Sequence, residues 1–96
     1  MIKSFRDKAT EDLFHGYSSK KVLKLPPEIL ETAMYKLDIL NSATSLNDLK
    51  SPPGNRLEVL RREYKGFYSM RINRQWRIVL RWQNAGAYDV AIEDYH

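Results

Sequence analysis

Cysteine is absent from this 96-residue chain, and glycine and proline number four each. Without cysteine there is no disulfide framework, no thiolate metal centre and no thiol nucleophile, and the chain suits a reducing compartment. The glycines, at positions 16, 54, 66 and 86, are too scattered to cradle a phosphate. None of the patterns G-x-x-x-x-G-K, G-x-G-x-x-G, H-E-x-x-H or G-x-S-x-G occurs, so nucleotide loops, zinc peptidases and serine hydrolases find no footing. Long hydrophobic runs are missing too: unbroken apolar stretches reach three residues, as in Ile78-Val79-Leu80, far short of a membrane span. The opening MIKSFRDKATED carries Asp7, Glu11 and Asp12, unlike a transit peptide, and a cytoplasmic protein is expected.

What is present is a globular composition, 43% hydrophobic and 29% charged, in a chain long enough for one domain over residues 1–96. The net charge of +4 is unevenly spread. Residues 1–48 balance seven Lys/Arg against seven Asp/Glu; residues 49–88 hold nine Lys/Arg against Glu58 and Glu63; residues 89–96 hold three acids. The middle segment therefore carries +7 over 40 residues, mostly as arginine, the footprint of a polyanion-binding surface.

The hydrophobic period changes once along the chain. Ile2 to Phe5 reads as a short strand, followed by a short helix capped by Asp7 or Thr10 and stopped at Gly16. Ser18 to Lys24 reads as a polar, basic connection. Pro26-Pro27 opens the main helix, with Ile29, Leu30, Ala33, Met34, Leu37 and Leu40 on one face and Glu31, Thr32, Lys36 and Asp38 opposite. Ser45 and Asp48 suggest a capping box, and Ser51-Pro52-Pro53-Gly54-Asn55 a rigid loop.

Beyond the loop the period is two. Arg56–Leu60, the stretch around Tyr68, Met70 and Ile72, Trp76–Trp82 and residues 87–95 read as antiparallel strands, with Gly86 turning the chain into the last. If even-numbered residues of both central strands face inward, the hairpin loop is odd in length. The loop Asn73-Arg74-Gln75 then sets Arg71 opposite Arg77. Two like charges so opposed are destabilising unless an anion lies between them, which points to a phosphate on that face.

The stretch SPPGNRLEVLRREYKGFYSMRINRQWRIVLRW, the terminal AIEDYH and the N-terminal SFRDKATEDLFHG resemble the HigB branch of the RelE/ParE toxin superfamily. The resemblance implies an α+β fold, with two to three helices packed on a curved antiparallel sheet of about four to five strands. It also implies a type II toxin–antitoxin pair whose toxin is a ribosome-dependent mRNA endonuclease that needs neither metal nor cofactor. The implied partners are a small helix-turn-helix, HigA-like antitoxin, the ribosome and mRNA, with operator DNA reached only through the antitoxin complex and no membrane. Two other classes remain open: a ParE-like toxin that poisons DNA gyrase without catalysis, and a module that binds RNA or an acidic antitoxin segment without cutting.

RNA supplies its own nucleophile, the 2′-hydroxyl, so a base, an acid and one or two arginines suffice to cut it. Arg77 matches the family's arginine on the scissile phosphate; a guanidinium stays charged and engages two oxygens. His96 titrates nearest neutrality and matches the family's Asp-Tyr-His ending, in which Asp94 orients it or takes a proton and Tyr95 stacks on a base or holds a phosphate. Glu58 stands where some family members carry a histidine, which leaves the division of labour among Glu58, Asp94 and His96 open. Arg56, Arg71 and Arg81 are expected to hold the RNA backbone, whereas Lys50, Lys65 and the helix-end His15 are read as having no role in the site.

Overall fold

Helix starts follow side-chain caps. In the computed structural model, which describes residues 1–94, the Asp7 carboxylate accepts from the Thr10 N–H at 2.8 Å and opens α1 (Lys8–Phe14). Gly16, at φ +80°, ends that turn in the left-handed region. Ser19 caps α2 (Lys20–Leu23) by accepting from the Val22 N–H at 3.2 Å. The polar connection expected at 18–24 therefore contains a helical turn, formed because Val22 can be buried. α3 (Pro27–Ser42) begins at the double proline and buries Ile29, Ala33, Leu37 and Leu40. Lys36 is buried with them rather than lying opposite, and Met34 is exposed. The spacing explains this: position 36 is seven residues after Ile29, three after Ala33 and four before Leu40, within the inward stripe. After α3 the Asp48 carboxylate accepts from the N–H groups of Thr44 and Ser45, as the capping pair anticipates.

Strands β1 (Glu58–Val59), β2 (Phe67–Arg71), β3 (Trp76–Gln83) and β4 (Gly86–Asp94) form an antiparallel meander in the order β1-β2-β3-β4. The β2–β3 register sets Met70 opposite Ile78 and Arg71 opposite Arg77, as the odd hairpin loop requires. Asn73 closes that loop, its side-chain oxygen accepting from the N–H groups of Gln75 and Trp76. Between β3 and β4 the left-handed residues are Asn84 and Ala85, at φ 52° and 58°, rather than Gly86. Gly86 serves close approach instead, since a Cβ there would lie 2.9 Å from the Lys3 side chain. The Ile2–Phe5 stretch runs parallel to β4 through isolated bridges, Ile2 with Ala87 and Phe5 with Val90.

β1 is shorter than the alternation of 56–60 suggests. Arg56 turns into the left-handed region at φ 43°, and Val59 is 64% exposed on the sheet edge, so among the described residues little packs on the outer part of that stretch. A bulge between Val79 and Arg81, opposite left-handed Asp89, breaks the strict alternation of the last strand, so Ala87 and Val90 are both buried. The main core joins α1–α3 to Met70, Ile72, Ile78, Leu80, Val90 and Ile92. These helices on an antiparallel sheet give the expected α+β class.

Candidate catalytic and RNA-binding face

Odd-numbered residues of β2 and β3 line the sheet face away from that core. One row runs Glu58–Ser69–Val79–Ala91 across the four strands, and the next runs Arg71–Arg77–Glu93. Arg77 sits near the centre, 5% exposed. Its Nε donates to Ser69 Oγ at 2.7 Å, and Nη2 donates to the carbonyl oxygens of Arg56 at 2.6 Å and Ser69 at 3.2 Å. Its Nη1 lies 3.8 Å from Glu58 Oε1, an ion pair too long for a hydrogen bond, and the Glu58 side chain is 47% exposed. The opposed Arg71 and Arg77 are thus eased from within: Arg77 leans across β2 toward β1, its charge set against two carbonyl dipoles and one carboxylate. Glu93, on the other side of Arg77, is held by Arg6 at 2.5 Å.

The carbonyl that receives Arg77 belongs to a loop fixed from several directions. Asn55 is fully buried; its amide donates to Leu49 O at 3.1 Å and Ser51 O at 3.2 Å. The backbone N–H groups of Asn55 and Arg56 donate to Pro52 O and Pro53 O. Lys36 reaches the loop from α3, donating from Nζ to Gly54 O at 3.4 Å and to Arg71 O at 2.5 Å. Burial, and then the positive charges of Arg71 and Arg77, hold the Lys36 ammonium below the usual lysine pKa.

The structure brings together Glu58, Arg77, Arg71 and the backbone of Arg56. Asp94 pairs in register with Trp76, which packs against the main core, so alternation sets it on the opposite side of the sheet from Arg77; it is exposed, and its carboxylate accepts from Gln75 Nε2 at 3.0 Å. Tyr95 and His96 lie outside the described residues. Arg81 is not in the cluster. Four residues along β3, beyond the bulge, it forks onto Asp89 at 3.1 and 3.2 Å, donates to Gln83 and lies 5.8 Å from the Tyr88 ring centroid. His15 packs edge-on against Phe14 at the end of α1, and Lys50 and Lys65 are exposed. Ser69, Asn55 and Lys36 were missed from the sequence. The hairpin register would have placed Ser69 diagonal to Arg77, and helical spacing would have turned Lys36 inward; nothing local marks Asn55. Among the described residues, no group of three or more His, Asp or Glu side chains is placed to hold a metal ion.

Residues 3–96 match the family described as the RelE-like toxin of type II toxin–antitoxin system HigB. The chain is 35% identical over 96 residues to Toxin HigB-1 of Vibrio cholerae, covering 99% of this chain and 98% of that protein. It is 29% identical to Endoribonuclease HigB of Proteus vulgaris over the full length of both. Its fold matches a chain of the heterotetrameric YoeB–YefM toxin–antitoxin complex from Staphylococcus aureus. There the TM-score is 0.61 at 16% identity, with 100% of this chain and 98% of that one covered. A family match over nearly the whole chain, a full-length relative at 35% identity and a shared α+β fold place this protein in the HigB-like family of RelE-type toxins.

Proposed function

We propose that this toxin is an endoribonuclease that cuts mRNA in the ribosomal A site and so stops translation. The observation that carries the reading is the setting of Arg77: a guanidinium fixed by Ser69 and the Arg56 carbonyl, beside a half-exposed carboxylate and a second arginine, on a sheet face not covered by the main core. A cation held before substrate arrives needs no reorganisation when charge develops on the phosphorane. In the reaction the 2′-oxygen forms a bond to phosphorus while the bond to the 5′-oxygen breaks. A base takes the 2′-hydroxyl proton and an acid supplies one to the departing oxygen. Arg77 meets the nonbridging oxygens, and Arg71 adds field from the opposite strand. Glu58, Asp94 and His96 are the proton carriers, Tyr95 stacks on a base, and Arg56 and Arg81 hold the backbone. This chemistry asks for no metal.

So sparse a set of groups leaves in-line geometry to the ribosome, so free RNA should be cut slowly. The partner that restrains the toxin is a helix-turn-helix antitoxin of the HigA type, through which the pair reaches operator DNA, and the site of action is the cytoplasm. Two features of the chain support the RNA-cutting part of this reading: the named likeness to Endoribonuclease HigB and the +7 charge of residues 49–88. Incubating the toxin with message-programmed ribosomes and, separately, with naked message tests the reading. Cuts in the A-site codon only with ribosomes are expected, whereas rapid cutting of naked RNA, or intact message on ribosomes, would sink it.

A further inference from the structure

Lys36 is placed unlike the other lysines of the chain. It is 8% exposed on the inward stripe of α3, and among the described residues no carboxylate lies within ion-pair reach of it. Its ammonium spans two backbone segments that are distant in sequence, the proline loop at Gly54 and the end of β2 at Arg71. The first leads, two residues on, to the Arg56 carbonyl that receives Arg77 Nη2; the second is the register partner of Arg77 itself. Burial and the two arginines both disfavour its charge. An ammonium carries three N–H donors on one nitrogen, enough to bond both carbonyls at once, and that bridge offsets the cost of a third cation beside two others.

We propose that Lys36 is a positioning residue for Arg77: it clamps the Gly54–Arg56 backbone to the end of β2, so that the guanidinium is held at the angle from which it meets the scissile phosphate. This rests on the reading of Arg77 given above. Lys36 does not touch the substrate; it acts through the two carbonyls. A clamp of this kind governs rate rather than affinity, because a shift of about 1 Å in a positioned catalytic group can cost about 10²-fold.

The test is single-turnover cleavage on programmed ribosomes by wild type, Arg77→Ala, Lys36→Met, Lys36→Arg and the Lys36→Met/Arg77→Ala double variant, with ribosome affinity and antitoxin binding measured in parallel. Lys36→Met should slow the cleavage step by roughly 10–100-fold with affinity unchanged, and Lys36→Arg, which can still donate to both carbonyls, should recover most of the rate. The double variant should be no slower than Arg77→Ala alone, because groups that act as a unit are not additive. Full-rate cleavage by Lys36→Met, a defect confined to affinity, failure of Lys36→Arg to recover rate, or a double defect equal to the product of the single ones would each overturn the proposal. Should Lys36→Met lose antitoxin binding through unfolding, Lys36→Gln, whose amide nitrogen stands one bond short of the lysine nitrogen and cannot reach both carbonyls, is held to the same outcomes. An inactive wild type, or full activity in Arg77→Ala, would instead remove the reading of the site itself, and Lys36's assignment with it.

Discussion

On the helix-covered face of the sheet, Met70, Ile72, Ile78 and Leu80 lie buried in the main cluster with Leu37 and Leu40. On the reverse face the buried side chains include Val79 and Ala91 but also Ser69 and Arg77, outside that cluster. The first face is held by non-directional burial, worth on the order of 1.5–3 kcal/mol per large side chain. The second is held by donors aimed at particular oxygens, in which the loss of one partner strands the other. The faces differ in what each tolerates. A dry face accepts approximate replacement, while a polar one depends on angle, which suits it to chemistry and makes it a poor source of stability. Substitutions on the two faces should therefore separate activity from stability.

The largest separation is expected at the site. Arg77→Ala should lower ribosome-dependent cleavage by roughly 10²–10³-fold, the usual loss when a preorganised donor to developing charge is removed. Its stability cost should be about 1–3 kcal/mol, from stranding Ser69 and the Arg56 carbonyl. Deleting His96 should lower cleavage by about 10²–10⁴-fold as a proton carrier is lost. A pH series tells the two apart, since the histidine defect follows the titration of the ring and the arginine defect does not. A fully toxic deletion variant would move proton transfer to Glu58 and Asp94.

Next in size is the converse. Leu37→Ala, on the dry face and fully buried, should lower unfolding free energy by about 2–5 kcal/mol. The fraction that stays folded should cleave at nearly the wild-type rate. Denaturant melts paired with cleavage measured at low temperature would check this; a large rate loss in folded Leu37→Ala would mean that the two faces are mechanically coupled.

Much of this contrast could be read in advance. The period-two strands, the odd hairpin loop and the Arg71–Arg77 pairing follow from alternation and parity, which bind local sequence to geometry. The capping of α1 and the Thr44–Asp48 turn follow from short-range hydrogen bonding. Illegible were the features that depend on long-range contact. Lys36 lies on the inward stripe by spacing, but the carbonyls that receive its ammonium, 18 and 35 residues away, have no local signal. Val22 makes a helical turn from a stretch that looks like a linker, because α1 covers it. The place of Arg77 opposite Arg71 was legible from parity. Its lean toward β1 was not, since it depends on the left-handed turn at Arg56 that presents a carbonyl.

A smaller effect concerns pH. Lys36 has a folded-state pKa below its unfolded value of 10.5, so the unfolded chain binds more protons in the interval between them. The penalty for burying the charge is present in full below the folded pKa and fades as pH rises toward 10.5. Wild type should thus gain stability relative to Lys36→Met as pH is raised through the alkaline range, seen as a widening difference in denaturant midpoints. A constant difference would show the ammonium to be better solvated than its burial implies.

The smallest expected effect lies at Arg81, which shares the reverse face with Arg77 but not its confinement. The Arg81 guanidinium is forked onto Asp89, partly exposed, and four residues along β3 from Arg77. Partly exposed ion pairs of this kind contribute roughly 0–1 kcal/mol, so Arg81→Ala should leave the melting temperature nearly unchanged. Its carboxylate partner also offsets the charge that a phosphate would meet, and an RNA contact has to compete with Asp89 for the same donors. Arg81→Ala should therefore weaken ribosome or RNA association uniformly across messages. The slope of log affinity against log salt should fall by no more than the roughly 0.7–0.9 of one lost phosphate contact, and the cleavage step of bound complexes should be untouched. Asp89→Asn sharpens the comparison, because freeing Arg81 from its carboxylate should raise affinity at low salt and steepen the salt dependence. If Arg81→Ala instead slowed cleavage as much as Arg77→Ala, the division of the face into a fixed catalytic cluster and a peripheral binding arm would fail, and both arginines would belong to one site.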